Sequence, residues 1–134
     1  MIYRYALSYL ETWKKNPMRK PLILRGARQV GKTTLVENFA TEFDCFLKLN
    51  LDEEEDRLLF TRYKEIHRLI EAIFFHLQKN PTEGSTLLFI DEIQNSPEAV
   101  AILRYFHEKR PDIYVIAAGS LLENVIDRKI SFPV

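Results

Sequence analysis

Residues 26 to 33 read Gly-Ala-Arg-Gln-Val-Gly-Lys-Thr, and this segment restricts the fold more than any other part of the chain. Glycine tolerates positive φ angles and lets the backbone approach a ligand closely, so Gly26 and Gly31 are expected to frame a tight turn. The apolar run of residues 21 to 24 precedes this turn, and apolar residues at helical spacing follow it. We therefore predict a strand, a turn and a helix, which is the arrangement of a phosphate-binding loop.

The predicted loop supplies the groups that bind the phosphates of a nucleoside triphosphate. Backbone N–H groups and the positive end of the following helix attract anions. Lys32 brings a mobile positive charge to the β- and γ-phosphates, and the hydroxyl of Thr33 is a ligand for Mg²⁺. Arg28 is a separate candidate for contact with a phosphate. The predicted nucleotide-binding positions are Gly26, Ala27, Arg28, Gln29, Val30, Gly31, Lys32, Thr33 and Thr34.

A second apolar run, residues 86 to 90, ends in two acids, Asp91 and Glu92. A buried strand that carries a carboxylate at its end is suited to holding Mg²⁺ opposite a phosphate-binding loop. We predict that Asp91 helps to bind the metal and that Glu92 polarises the attacking water. Two solvated acids are the ordinary alternative. Asp52, at the end of a strand predicted over residues 45 to 51, could join the outer shell of the metal.

A third apolar run, residues 113 to 118, is followed by Gly119 and Ser120. Ser120 is a candidate for sensing the γ-phosphate or holding the lytic water, with Asn124 in reserve. A helix N-cap is the alternative role for Ser120. Strands alternate with helices along the whole chain, which predicts a three-layer α/β/α fold with a parallel sheet and right-handed crossovers.

Apolar residues at helical spacing predict four amphipathic helices that pack against this sheet. The predicted buried positions are Ile2, Ala6, Tyr9, Leu10 and Trp13, then Leu35, Val36, Phe39, Ala40 and Phe43, then Ile66, Leu69, Ile70, Ile73, Phe74 and Leu77, and finally Ala99, Ile102, Leu103 and Phe106. Ser96 followed by Pro97 is a helix start. The acidic run of residues 52 to 56 predicts another start, and residues 14 to 21 are expected to be a solvated basic connector.

Three segments of the chain resemble the AAA-type ATPase domain of bacteria and archaea, namely residues 24 to 35, 88 to 94 and 118 to 120. The resemblance extends from about Tyr9 to the end, and Gln94 is among its most family-specific positions. It implies a P-loop NTPase fold of the additional-strand (ASCE) type. It also implies that the strand ending at Gly119 lies between the strand before Gly26 and the strand carrying Asp91.

The family pattern continues beyond Val134 into a further strand, a helical lid and a C-terminal domain of unknown function, so the chain looks like an N-terminal fragment. We expect an N-terminal helix and connector over residues 1–20 and an incomplete P-loop ATPase core over residues 21–134. Related AAA proteins carry an arginine finger for a neighbouring subunit near the position of Arg128, which would place the chain in a homo-oligomer. Arg104 and Arg110 are competing candidates, and a surface role is the simpler interpretation of each.

We predict Mg²⁺-dependent ATP binding and hydrolysis. A non-hydrolysing ATP-dependent switch or scaffold is the alternative, and a small-molecule kinase is a third hypothesis, disfavoured because adjacent acids suit activation of water. The chain contains no Asn-Lys-x-Asp sequence, which would indicate guanine recognition.

Nineteen basic and nineteen acidic residues cancel, so the charge balance favours no particular protein or nucleic-acid partner. The single cysteine, Cys45, and the lack of an apolar run of about 20 residues predict a cytoplasmic protein outside the membrane.

Overall fold

The structure is a computed structural model that describes residues 2–25 and 30–119. These residues form four strands and five α-helices. The strands are β1 (Leu22–Leu24), β2 (Cys45–Asn50), β3 (Thr86–Asp91) and β4 (Ile113–Ala118). The helices are α1 (Ile2–Lys15), α2 (Val30–Phe39), α3 (Glu54–Arg62), α4 (Ile66–His76) and α5 (Pro97–Lys109). Short 3₁₀ turns follow α2 at Ala40–Glu42 and β3 at Ile93–Asn95.

The four strands form one parallel sheet in the order β1-β4-β3-β2. This order confirms that β4 lies between β1 and the strand that carries Asp91. Because all strands run in the same direction, their carboxyl ends meet at one edge of the sheet. Leu24 is in register with Ala118 there, and Asn50 is in register with Asp91. We call this the carboxyl edge, and the opposite one the amino edge.

Helices cover both faces of the sheet, which confirms the predicted three-layer α/β/α architecture. Successive side chains of a strand point to opposite faces, and β3 shows this clearly. Leu87 and Phe89 join the core formed with α1 and α2, whereas Leu88 and Ile90 join the core formed with α3, α4 and α5. All of these β3 side chains are buried, as expected for a central strand covered on both faces.

The predicted helix starts agree with the structure. Ser96 caps α5, since its side chain accepts a hydrogen bond from the backbone N–H of Ala99 at 3.0 Å, and Pro97 occupies the first turn. Three acids of the 52–56 run lie in the first turn of α3, where negative charge favours the helix dipole. Glu65, which the sequence analysis did not single out, caps α4 through the backbone N–H groups of His67 and Arg68.

The structure corrects two predictions in the N-terminal region. Tyr9 is 45% exposed, because the buried stripe of α1 runs through Leu10 and Trp13 and leaves Tyr9 on its margin. The connector is not simply solvated, since the guanidinium of Arg19 lies 3.5 Å from the ring centroid of Tyr114 and donates a hydrogen bond to the Pro111 carbonyl at 2.6 Å. In the part of the chain that the structure describes, no helix is long and apolar enough to cross a membrane.

Candidate nucleotide-binding site

The first turn of α2 meets the end of β3 at the carboxyl edge. Thr33, in that turn, donates a hydrogen bond from its hydroxyl to Oδ2 of Asp91 across 3.4 Å, although the two residues are 58 positions apart in sequence. Lys32 lies beside Thr33 and is partly exposed. The fold therefore brings together the two residues that the sequence predicts as metal ligands. A hydroxyl and a carboxylate are hard oxygen donors, the kind that Mg²⁺ prefers.

Asp91 is a partly buried carboxylate that is only partly compensated by its neighbours. Burial raises the pKa of Asp91, and the negative charge of Glu92 adds to the increase. Hydrogen bonds from the backbone N–H of Glu92, at 2.9 Å, and from the Thr33 hydroxyl offset part of it. A cation at this position would stabilise the ionised carboxylate, so the chemistry of the donor set fits a bound divalent metal.

Glu92 has a left-handed backbone conformation, with φ 55° and ψ 46°. A side chain at positive φ is uncommon because Cβ crowds the following carbonyl. Ile93, which begins the next 3₁₀ turn, is fully buried and holds this turn against the core. The side-chain amide of Gln94 donates a hydrogen bond to Oε1 of Glu92 at 2.9 Å. Sequence patterns gave no signal for either feature, because neither depends on periodicity.

The turn after β3 is joined to the loop after β2. The Asn95 side-chain amide donates to Oδ1 of Asp52 at 2.7 Å and to the Leu51 carbonyl at 3.3 Å. The Arg57 guanidinium also donates to the Leu51 and Asp52 carbonyls, each at 2.9 Å. Asp52 thus lies at the carboxyl edge as a structural partner of Asn95, and its role in the outer shell of a metal stays a prediction. Sequence reasoning missed Asn95 and Arg57.

Gly31 differs from its predicted role. It lies inside α2 rather than in a turn, and its φ is not positive. A Cβ at this position would meet no heavy atom within 4 Å, so nothing in the described protein excludes a side chain there. The remaining reason for a glycine at this position is close approach of the backbone to a phosphate. Predictions for residues 26–29, Ser120, Asn124 and Arg128 fall outside the described residues.

The two competing arginine candidates are engaged elsewhere. Arg110 precedes β4 at the amino edge, far from the carboxyl edge of its own domain, and pairs with both oxygens of Asp112 at 3.0 and 2.9 Å. Arg104 is exposed on α5, with Glu108 at 3.9 Å.

Among the described residues, no cluster of three or more His, Cys, Asp or Glu side chains could hold a metal ion. The predicted site of Thr33 and Asp91, a hydroxyl and a carboxylate, would be of a different kind.

A parallel sheet ordered β1-β4-β3-β2, with a helix starting beside the acidic end of β3, defines a P-loop NTPase type of α/β fold. The chain belongs to the AAA domain family, whose model matches residues 18–131. It is therefore a nucleotide-binding module of the ATPase type. The solved structure of C. elegans PCH-2 superposes on it with a TM-score of 0.59 at 12% identity.

That superposition covers 99% of this chain and 44% of the PCH-2 chain, so the chain spans less than half the length of this structural relative. At 12% identity the likeness shows the shared fold. No sequence among the curated proteins matches this chain significantly.

Proposed function

We propose that this domain binds ATP with Mg²⁺ and hydrolyses the phosphoanhydride bond between its β- and γ-phosphates. The observation that carries the proposal is the approach of the Thr33 hydroxyl to Asp91 Oδ2, at 3.4 Å, with Glu92 as the next residue. A helix hydroxyl and a strand-end carboxylate that can hold a divalent metal, with a second carboxylate next to them, suit phosphoanhydride hydrolysis. The AAA domain family supports the same conclusion.

The chain's own residues divide the work as follows. Lys32 and the loop positions 26 to 34 bind the phosphates, and Thr33 and Asp91 hold the metal. A bound Mg²⁺ would supply positive charge that stabilises the negative charge developing on the phosphates. Glu92 accepts a proton from the attacking water and orients it. Ser120 near the γ-phosphate and Arg128 acting on a neighbouring subunit of a homo-oligomer complete the proposed machinery.

A buried cysteine agrees with the cytoplasmic location that we propose. Cys45 is 6% exposed, and burial raises the pKa of its thiol. A thiol with a raised pKa forms less of the reactive thiolate, so Cys45 is expected to be an inert core residue. The chain has no second cysteine with which to form an internal disulfide.

Calorimetry with Mg²⁺-ATP tests the binding half of the proposal. We expect the wild-type chain to bind ATP in preference to GTP and Lys32→Ala to bind at least about 10-fold more weakly, because one charge-assisted contact to phosphate is lost. Lys64→Ala is the matched control, since Lys64 is exposed between α3 and α4. Equal affinities for the two lysine variants would contradict the proposed site.

Turnover of Glu92→Gln tests the hydrolysis half. Loss of a general base costs roughly 10²–10⁴ in rate, and the affinity for Mg²⁺-ATP should be retained. Glu108→Gln makes the same chemical change on an exposed helix face and should leave turnover unchanged. Binding without turnover in the wild type would favour the switch or scaffold alternative. Transfer of phosphate to an added acceptor would favour a kinase.

A further inference from the structure

Within the described residues, the side chain of Gln94 makes one hydrogen bond, and its partner is Glu92. Its amide Nε2 donates to Glu92 Oε1 at 2.9 Å. Its own Oε1 is buried and, within residues 2–25 and 30–119, accepts no hydrogen bond. Burying an amide with half of its hydrogen-bonding capacity unmet costs free energy. A contribution to the stability of the fold therefore explains this amide poorly, and its contact with Glu92 explains it better.

The backbone on both sides of Gln94 is held by independent contacts. Ile93 is fully buried, and the Asn95 side chain is bonded to Asp52 at 2.7 Å in the neighbouring loop. The backbone N–H of Asn95 also donates to the Glu92 carbonyl at 3.2 Å, closing the turn. Gln94 therefore projects its amide from a fixed support, and the Glu92 carboxylate that it contacts is restrained in turn.

We propose that Gln94 is a positioning residue that fixes the orientation of the Glu92 carboxylate for activation of water. This inference rests on the proposed hydrolysis. A general base works only when its oxygen lies within hydrogen-bonding distance of the proton that it removes, so a small rotation of the carboxylate reduces the rate. Gln94 acts through Glu92 and is not assigned any contact with the nucleotide.

Gln94→Met tests the proposal, because methionine preserves the length and approximate volume of the side chain while removing the amide donor. We expect turnover to fall about 10- to 100-fold. The affinity for Mg²⁺-ATP by calorimetry and the melting temperature should stay near the wild-type values. The decisive measurement is a double-mutant cycle, in which Gln94→Met has no further effect in the Glu92→Gln background under single-turnover conditions.

The same fold-loss of turnover in both backgrounds would overturn the proposal, because it would show that Gln94 acts independently of Glu92. Faster turnover in Gln94→Met would also overturn it, since the amide would then restrain Glu92 away from its working position. If the wild type hydrolyses ATP and Gln94→Met hydrolyses it at the same rate, the positioning role of Gln94 is wrong and the proposed hydrolysis stands. A wild-type protein that binds ATP without turning it over would remove the proposed hydrolysis and this inference together.

Discussion

The two edges of the sheet shift the pKa of an aspartate in opposite directions. At the carboxyl edge, burial raises the pKa of Asp91, and the donors around it offset only part of the increase. At the amino edge, hydrogen bonds from the Arg110 guanidinium lower the pKa of Asp112. The surroundings of Asp91 disfavour its ionised form, whereas the guanidinium beside Asp112 favours the ionised form. The difference supports the proposed cation at the carboxyl edge and a structural role for the polar groups of the amino edge.

Other polar groups at the amino edge follow the pattern of Asp112. Arg19 stacks on Tyr114 and donates to the Pro111 carbonyl, while the Arg19 carbonyl lies 3.1 Å from Nδ1 of His107. The Trp13 indole N–H donates to the Lys20 carbonyl at 2.8 Å. These contacts tie the connector before β1 to the end of α5 and to β4. Polar groups here hold the layers together, whereas Thr33, Asp91 and Glu92 at the carboxyl edge form the proposed site for metal and nucleotide.

Exchanging each aspartate for asparagine should give the largest contrast between the edges. We expect Asp91→Asn to reduce Mg²⁺-dependent turnover by at least about 100-fold, because a ligand that neutralises the metal is lost. The nucleotide-free domain should be as stable as the wild type or slightly more stable, since a partly buried charge is removed. Turnover at several Mg²⁺ concentrations and urea unfolding measure the two effects.

Asp112→Asn is the matched control for that experiment. Its side chain is 60% exposed, so its pairing with Arg110 contributes only about 0.2–1 kcal/mol to stability, and turnover should not change. If the two variants reduced turnover to a similar extent, the functional distinction between the edges would be wrong.

Arg19→Ala tests whether the amino edge is purely structural. Loss of the stacking on Tyr114 and of the bond to Pro111 should lower the free energy of unfolding by about 1–2 kcal/mol. Urea denaturation measures this, and calorimetry should show unchanged affinity for Mg²⁺-ATP. Lys20→Ala, at the exposed neighbouring position, should change stability by less than about 0.5 kcal/mol. A weaker ATP affinity in Arg19→Ala would show that this edge also serves the nucleotide site.

Much of the fold could be predicted from the sequence because it depends on local patterns. The apolar runs of β3 and β4 and the Ser96 cap are short-range signals, and the strand order followed from the family resemblance. The pairing of Thr33 with Asp91 could also be expected, since parallel strands end at a common edge. These features need only the periodicity of the chain and the direction of its strands.

The missed features depend on contacts that no local pattern encodes. Arg19 reaches the Pro111 carbonyl across 92 positions, and its stacking on Tyr114 depends on how the connector folds back. The left-handed backbone of Glu92 is set by burial of Ile93 and by the turn that follows. The bond from Gln94 to Glu92 arises from that turn. The Arg19 contacts are decided by packing between distant segments, and the conformation of the turn by the burial of Ile93. The periodicity of the chain predicts neither, although the family resemblance singled out Gln94.

The smallest expected effect is a pH dependence of stability with opposite signs at the two edges. Asp112 has a folded pKa below its ordinary value of 3.8, so the stability that it contributes is present above that value and is lost as the pH falls through the folded pKa. Asp91 has a raised folded pKa, so its cost is present above that pKa and is relieved as the pH falls towards 3.8. In urea unfolding between pH 7 and 3 without nucleotide or metal, Asp112→Asn should therefore weaken the loss of stability in acid, and Asp91→Asn should strengthen it. Each change is expected to stay below about 1 kcal/mol because both groups are partly solvated. Shifts of the same sign in the two variants would show that the carboxylates differ less in their surroundings than the two edges suggest.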